Sequence, residues 1–357
     1  MKAIRAFNVR LLVSLWLTTP AFAQQVYTSP VELIDNSHQT EGMIISKAKV
    51  TPQPAKGTAV WSCGKQGDLW TYVKLADKCP AQAKGALPAI DGKNKNGVYS
   101  LTAYPGPTRV TGAYRAIETY TTTVANNVKI DGLVADDLQR GGVRLRGKLD
   151  GVTISNSTFR FRSAPQVSPN LPACLEIGDK DARTRITNVL VRNVTCEGFQ
   201  MTLAPDRYWN GDGPTVEGNV SGVRFEHVIS RNNTDGCFDV KPYFTATDIT
   251  AEGCKRNIRS WSGFDAEHVV SITPVKRGGS GGMQHIWIHG NDKAPPSVHI
   301  GLLEVTSTNT APILTIEDGG AIVTIDRCKL NVPNGTAFRL GGSKNIKLRV
   351  GPGCVVP

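Results

Sequence analysis

Residues 213–262 read GPTVEGNVSGVRFEHVISRNNTDGCFDVKPYFTATDITAEGCKRNIRSWS, and three short runs within them align: Gly213-Pro-Thr-Val-Glu-Gly218, Gly236-Cys-Phe-Asp-Val-Lys241 and Asn257-Ile-Arg-Ser-Trp-Ser262. Their starts are 23 and 21 residues apart. That is about one coil of a parallel β-helix, a solenoid in which no coil buries its apolar face alone. The same pattern returns upstream as Gly142-Val-Arg-Leu-Arg-Gly147 and Ala173-Cys-Leu-Glu-Ile-Gly178, and downstream as Pro312-Ile-Leu-Thr-Ile-Glu317 and Thr336-Ala-Phe-Arg-Leu-Gly341. A second column follows most of these runs, as in Ile186-Thr-Asn-Val-Leu-Val-Arg-Asn-Val194 and Val220-Ser-Gly-Val-Arg-Phe-Glu-His-Val228. Each unit therefore carries two or three strands. The fixed Leu/Asn consensus of a leucine-rich repeat is missing, and a β-sandwich gives no reason for one column to recur with one inward pattern. The expected fold is all-β, a single-stranded right-handed parallel β-helix over residues 99–357.

The chain has 357 residues, 40% of them hydrophobic and 20% charged, enough to bury a sizeable core and to exclude disorder, collagen and a long coiled coil. Residues 1–23 read as a secretory signal: Lys2, Arg5 and Arg10, then the apolar run 11–17, then Ala21-Phe22-Ala23. An apolar core this short does not reach the ~20 residues of a spanning helix, so an exported, periplasmic or secreted product without a membrane span is expected. Residues 24–98 stand outside the repeat and are read as a cap on the open end of the solenoid. Trp61, Trp70 and Tyr72 would pack that cap. The eight cysteines fall into local couples, Cys63 with Cys79, Cys174 with Cys196, Cys237 with Cys254 and Cys328 with Cys354. Disulfides suit an exported chain, although eight cysteines allow 105 pairings.

The formal charge is +11, and loss of the leader would leave +8, which favours polyanionic partners. Export and the lack of any basic-aromatic reader motif argue against nucleic acid. Strand alternation sends Leu175, Ile177, Val216, Phe238 and Val240 inward and leaves Glu176, Glu217, Asp239, Lys241, Arg259 and Trp261 facing solvent. Neighbouring coils stand about 4.8 Å apart, so these residues form a compact group. The period breaks just before it, inserting residues 200–212 with Tyr208, Trp209 and Asp212, a loop of the kind that carries binding on a rigid scaffold. Acid, amine and guanidinium within mutual reach suit β-elimination from a uronate. One cation neutralises the carboxylate and acidifies the C5 proton, a base removes that proton, and an acid protonates the leaving oxygen. Lys241 is the candidate base, with Arg259 as acid or carboxylate clamp and Asp239 beside them. His227, His268, His285, His289 and His299 show no metal spacing and read as turn or surface residues.

At these residues the chain resembles the pectate-lyase-like right-handed β-helix superfamily. Asp239-Val240-Lys241 with Arg259 one coil later is similar to the Lys base and Arg acid of the alginate lyase and chondroitinase B group. That resemblance implies calcium as a cofactor, with Glu217 and Asp239 as its ligands. Asn233-Thr234-Asp235-Gly236 is similar to a polygalacturonase motif, which implies an inverting hydrolase with carboxylates about 6.5–9.5 Å apart. Here Asp212, Asp235 and Asp239 would serve, but the family's following Asp-Asp, Gly-His-Gly and Arg-Ile-Lys motifs are absent. The segment from Tyr208 to Trp261 also resembles uncharacterised bacterial exported β-helix proteins.

Three functions follow as expectations. The first is a monomeric exported lyase of an acidic polysaccharide, with Tyr208, Trp209, Asp212, Asp235 and Trp261 contacting the glycan. The second is a polygalacturonase-like hydrolase, and the third is a non-catalytic glycan-binding or envelope protein.

Overall fold

The computed structural model describes residues 115–356, apart from 139, 162–165 and 168–170, together with the strands Thr71–Val73 and Arg109–Thr111. The leader, most of the segment 24–98, and Cys63 with Cys79 lie outside the described residues. Among the described residues there is no helix, and none is long and apolar enough to cross a membrane.

The chain alternates between two large sheets, one of ten strands and one of eleven. The first sheet holds short strands, including Ala173–Ile177, Asp212–Val216, Gly236–Val240, Arg256–Ser260, Gln284–His289 and Leu314–Glu317. The second holds longer ones, including Arg185–Glu197, Val220–Arg231, Phe244–Glu252, Gly263–Ile272, Ser297–Thr306 and Ile322–Asn331. Within both sheets successive coils pair in parallel. The exception is Thr71–Val73, which runs antiparallel along Arg115–Glu118 and covers the first edge of the short-strand sheet. An antiparallel strand there removes the open edge that a first coil would otherwise present.

The two or three strands expected per coil are realised differently on the long-strand sheet. There the second and third strands are fused into one continuous strand bent at left-handed residues. Asn127, Gly151, Asn188 and Gly222 occupy one register position on four strands, with φ of 56°, 70°, 56° and 65°. Only glycine and asparagine adopt this backbone cheaply. The Gly and Asn residues that mark turns in the sequence therefore mark corners of a continuous ladder.

Inside, residues two apart on each strand stack coil upon coil. Phe225, Phe238, Phe244 and Phe264 are fully buried, and the Phe244 and Phe264 rings stack with centroids 4.9 Å apart. Phe225 meets Phe244 edge-on at 5.5 Å and Phe238 at 5.6 Å. Three of the four expected disulfides are present: Cys174–Cys196, Cys237–Cys254 and Cys328–Cys354. They fit an oxidising environment. Phe244 touches rings above and below it, so Phe244→Ala is expected to lower stability by about 3–5 kcal/mol in a urea titration.

Candidate functional site

The outer face of the short-strand sheet carries one column read directly from strand register: Glu118, Arg144, Glu176, Thr215, Asp239, Arg259, Trp287 and Thr315. Its first part is a closed ion-pair cluster, in which Arg144 Nε lies 3.0 Å from Glu176 and Arg146 lies 2.6 Å from Glu118. Arg115 is 3.3 Å from Glu176. Thr215 separates this cluster from Asp239, so Glu176 does not join the group that the sequence places it in.

Beyond Thr215 a second cluster begins beneath the surface. Asp235, in the turn before Gly236–Val240, is fully buried. Its Oδ1 is 3.0 Å from the Lys255 ammonium, and its Oδ2 accepts from Arg259 at 2.9 Å and from the Tyr208 hydroxyl at 2.6 Å. The same Arg259 nitrogen reaches Asp239 Oδ2 at 3.0 Å, while Trp261 Nε1 donates to Asp239 Oδ1 at 3.0 Å. Burial opposes the charge of Arg259, but Asp235 and Asp239 outweigh it and hold its pKa above the ordinary guanidinium value. Burial pulls the Lys255 pKa below the usual lysine value against the pull of Asp235. Tyr208 is kept a phenol by burial and then by the adjacent Asp235 carboxylate. Asp212 accepts from the Gly236 amide at 2.7 Å; burial, then Asp235 and Asp239, push its pKa well up. Asp235 and Asp239 thus face Lys255 and Arg259, two carboxylates against two cations, with Asp212 beside them as the carboxyl whose proton burial favours.

Two loops close over Lys255. The ammonium faces the Ser280 carbonyl at 3.2 Å, the Trp209 carbonyl at 3.4 Å and the Tyr208 ring at 3.8 Å. A Cβ on Gly278 would fall 2.3 Å from the Trp209 ring, so the Gly278-Gly279 pair is what lets the loops meet. Tyr208 and Trp209, expected on the glycan, are instead packed into this wall. Asp235 is likewise below the surface, and Asp212 and Asp239 are only 8% and 5% exposed, so the three carboxylates do not flank an open space as an inverting hydrolase requires.

What faces solvent is the next column: Glu217, Lys241, Trp261, His289 and Glu317. Lys241 Nζ lies 3.1 Å from Glu217 and 3.9 Å from Asp239, and its side chain is 32% exposed. It also stands 5.8 Å from the Trp261 ring centre. Trp261 packs edge-on against Trp287 at 5.3 Å and tilts against His289 at 4.6 Å. Glu217 and Asp239 are engaged by Lys241 and Arg259, and among the described residues no three His, Cys, Asp or Glu side chains are arranged to hold a metal ion. The expected calcium cage therefore does not fit this geometry.

No family model, curated protein or solved structure matches this chain.

Several residues of the face were not picked out from sequence. Arg256 donates to Gln284 at 3.1 Å and to the Tyr208 hydroxyl at 3.2 Å, and lies 5.0 Å from the Trp287 ring centre. Among the described residues no carboxylate lies within ion-pair distance of it. Extending the column by one residue would have found it, since Arg256 stands opposite Gly236. His285, expected at a turn or the surface, is fully buried; its Nδ1 meets Ser271 Oγ at 2.8 Å and burial drives its pKa down to about 3. An open groove of 480 Å³ lined by Asn188, Gly222, Arg224, Tyr243 and Thr245 belongs to the other sheet and holds none of these charges.

Two stability predictions follow from the buried set. Removing Asp235 strands the Lys255 ammonium, so Asp235→Ala is expected to cost about 3–5 kcal/mol, with much of it recovered in the Asp235→Leu/Lys255→Met pair on chemical denaturation. Asp212 binds its proton more tightly folded than unfolded. Its contribution is complete below the unfolded value of 3.8 and is lost as pH rises through the raised folded value. Asp212→Asn keeps an oxygen for the Gly236 amide, so its melting temperature should gain on the wild type steadily from acid to mildly alkaline pH.

Proposed function

We propose that this chain is an exported protein of the periplasm or the extracellular space whose outer face cleaves an acidic, uronate-containing polysaccharide by β-elimination. We read its solenoid as a right-handed single-stranded parallel β-helix, the hand that nearly all parallel crossovers take. The observation carrying the functional reading is that the buried charges cancel, while Arg256 has no carboxylate partner among the described residues and stands beside a Trp261–Trp287 platform. A surface with spare positive charge next to the half-buried Trp261 indole fits an anionic sugar: the ring stacks on Trp261 and its carboxylate pairs with Arg256. The disulfides support export.

In this scheme the clamp role expected of Arg259 passes to Arg256, because Arg259 is 8% exposed and committed to two aspartates. Arg259 positions Asp239, and through it Trp261. Neutralising the uronate carboxylate acidifies the C5 proton, and Lys241 removes it as the C4–O4 bond breaks and the C4–C5 double bond forms. Lys241 acts only as the free amine.

A second reading, binding of the same polymer without turnover, is favoured by the contact of the Lys241 ammonium with Glu217 at 3.1 Å. The test is incubation of the protein with a panel of polyuronates, with and without calcium, following the ultraviolet absorbance of unsaturated uronate and, separately, reducing ends and binding. The expected outcome is absorbance on one substrate that disappears in Lys241→Ala and rises in Glu217→Gln, where the carboxylate that engages Lys241 is gone. Reducing ends without absorbance would replace elimination by hydrolysis. Binding without either would leave the non-catalytic reading.

A further inference from the structure

The elimination just proposed lacks a proton donor for the leaving oxygen once Arg259 is seen to be buried, and the outer column supplies one. Lys241, Trp261 and His289 occupy equivalent positions on three successive coils, so base and imidazole stand roughly 10 Å apart along the stack with the indole between them. A ring lying on Trp261 is reached from one side by Lys241 and from the other by His289.

His289 is built as a donor. Its Nδ1 lies 3.1 Å from Asp318 Oδ2, and the side chain is 37% exposed. A carboxylate accepts only, so Nδ1 carries a hydrogen and Nε2 is the nitrogen turned to a ligand. Among the described residues Nε2 has no partner. The ring packs at a tilt against Trp261 at 4.6 Å and more nearly parallel to Trp287 at 5.9 Å, and Trp287 is itself pinned by Glu317, which accepts from its Nε1 at 2.7 Å. Asp318 is held in a left-handed turn, φ 69°, between Glu317 and Gly319. The Gly290 amide donates to the Glu317 carbonyl at 2.5 Å, and a Cβ on Gly290 would sit 2.3 Å from the Gly319 carbonyl oxygen. The two turns that carry the imidazole and its carboxylate are thus locked together.

We infer that His289, oriented by Asp318, is the general acid that protonates the leaving glycosidic oxygen. This rests on the elimination reading. Lys241 takes the C5 proton, the C5–H electron pair becomes the C4–C5 double bond, the C4–O4 bond breaks, and O4 takes the Nε2 proton of His289, which enters the step as the imidazolium with a hydrogen on each nitrogen and leaves it as the neutral ring protonated on Nδ1. Both groups are reset by proton exchange with water, and no other reactant is consumed.

The experiment compares wild type, His289→Gln, Asp318→Asn and Lys241→Ala on the polyuronate and on a synthetic uronide whose C4 substituent is a dinitrophenolate, which leaves without protonation. His289→Gln is expected to lose about 10²–10⁴-fold in rate on the polymer, the range for a general acid, and less than about tenfold on the synthetic uronide. Lys241→Ala should lose on both, and Asp318→Asn should follow His289→Gln more weakly, with binding of the polymer unchanged in both. Full polymer activity in His289→Gln, or an equal loss on the two substrates, would overturn the assignment while leaving elimination intact. No unsaturated product from wild type on any polyuronate would remove elimination and this assignment together.

Discussion

Everything on this molecule's surface answers to the vertical register between coils, because each residue stands about 4.8 Å above its counterpart one coil earlier. In a globular fold a carboxylate has many ways to avoid another carboxylate. In a stacked solenoid the neighbour is assigned, and like charges directly opposite destabilise the pair. The short-strand sheet obeys this throughout: Glu118, Arg144 and Glu176 alternate in sign, Thr215 intervenes, and Asp239 and Arg259 resume the alternation. Thr215 thereby separates a closed ion-pair cluster from the chemically open one. An acid in its place would stand between Glu176 and Asp239 and force two carboxylates together on each side.

Burial then divides the open cluster into a foundation and a face. Desolvating Asp235, Lys255 and Arg259 is costly, and the cost is offset because each charge meets an opposite one at 2.9–3.0 Å and Tyr208, Trp209 and Ser280 supply further hydrogen bonds, while Arg259 Nε is left without a partner among the described residues. Asp212 is one carboxylate too many for that balance, and burial followed by Asp235 and Asp239 pushes its pKa well above the ordinary carboxylate range. Groups so engaged are poor reactants, since any substrate contact would first break a buried pair. The residues one column outward touch the foundation and still meet solvent, which is why the proposed chemistry is assigned to them.

The solenoid was legible because its cause is periodic: inward Phe238 and Val240 recur with the coil, and couples of cysteines about one coil apart lie side by side once the coils stack. The pairing of Asp239 with Arg259 was legible for the same reason. Burial of Asp235 and Tyr208 was not, because it depends on where the inserted segment 200–211 folds back, and an insertion has no period. Lys255 escaped notice because it precedes its strand, and because a lysine is by default a surface residue. His289 was passed over as one of several unspaced histidines. Its relation to Lys241 appears only when the loop 273–283 is taken out of the count and the strands on either side are brought into register.

That loop shows why the foundation and the wall are one device. Lys255 draws its acceptors from three separate segments, the Asp235 turn, the Trp209 carbonyl and the Ser280 carbonyl. An ammonium has three hydrogens in tetrahedral array, so a single buried lysine can tie three segments where a neutral side chain of the same volume would tie none. The glycines at 278 and 279 make the approach sterically possible, and Arg277 anchors the start of the same loop to the Asn233 carbonyl at 2.9 Å. The wall is therefore held at points that belong to the coils bearing Asp239, Arg259 and Trp261. The side boundary of the outer column thus cannot slide independently of the strands beneath it, which is the preorganisation that the proposed binding of a flexible polymer on a few side chains would need.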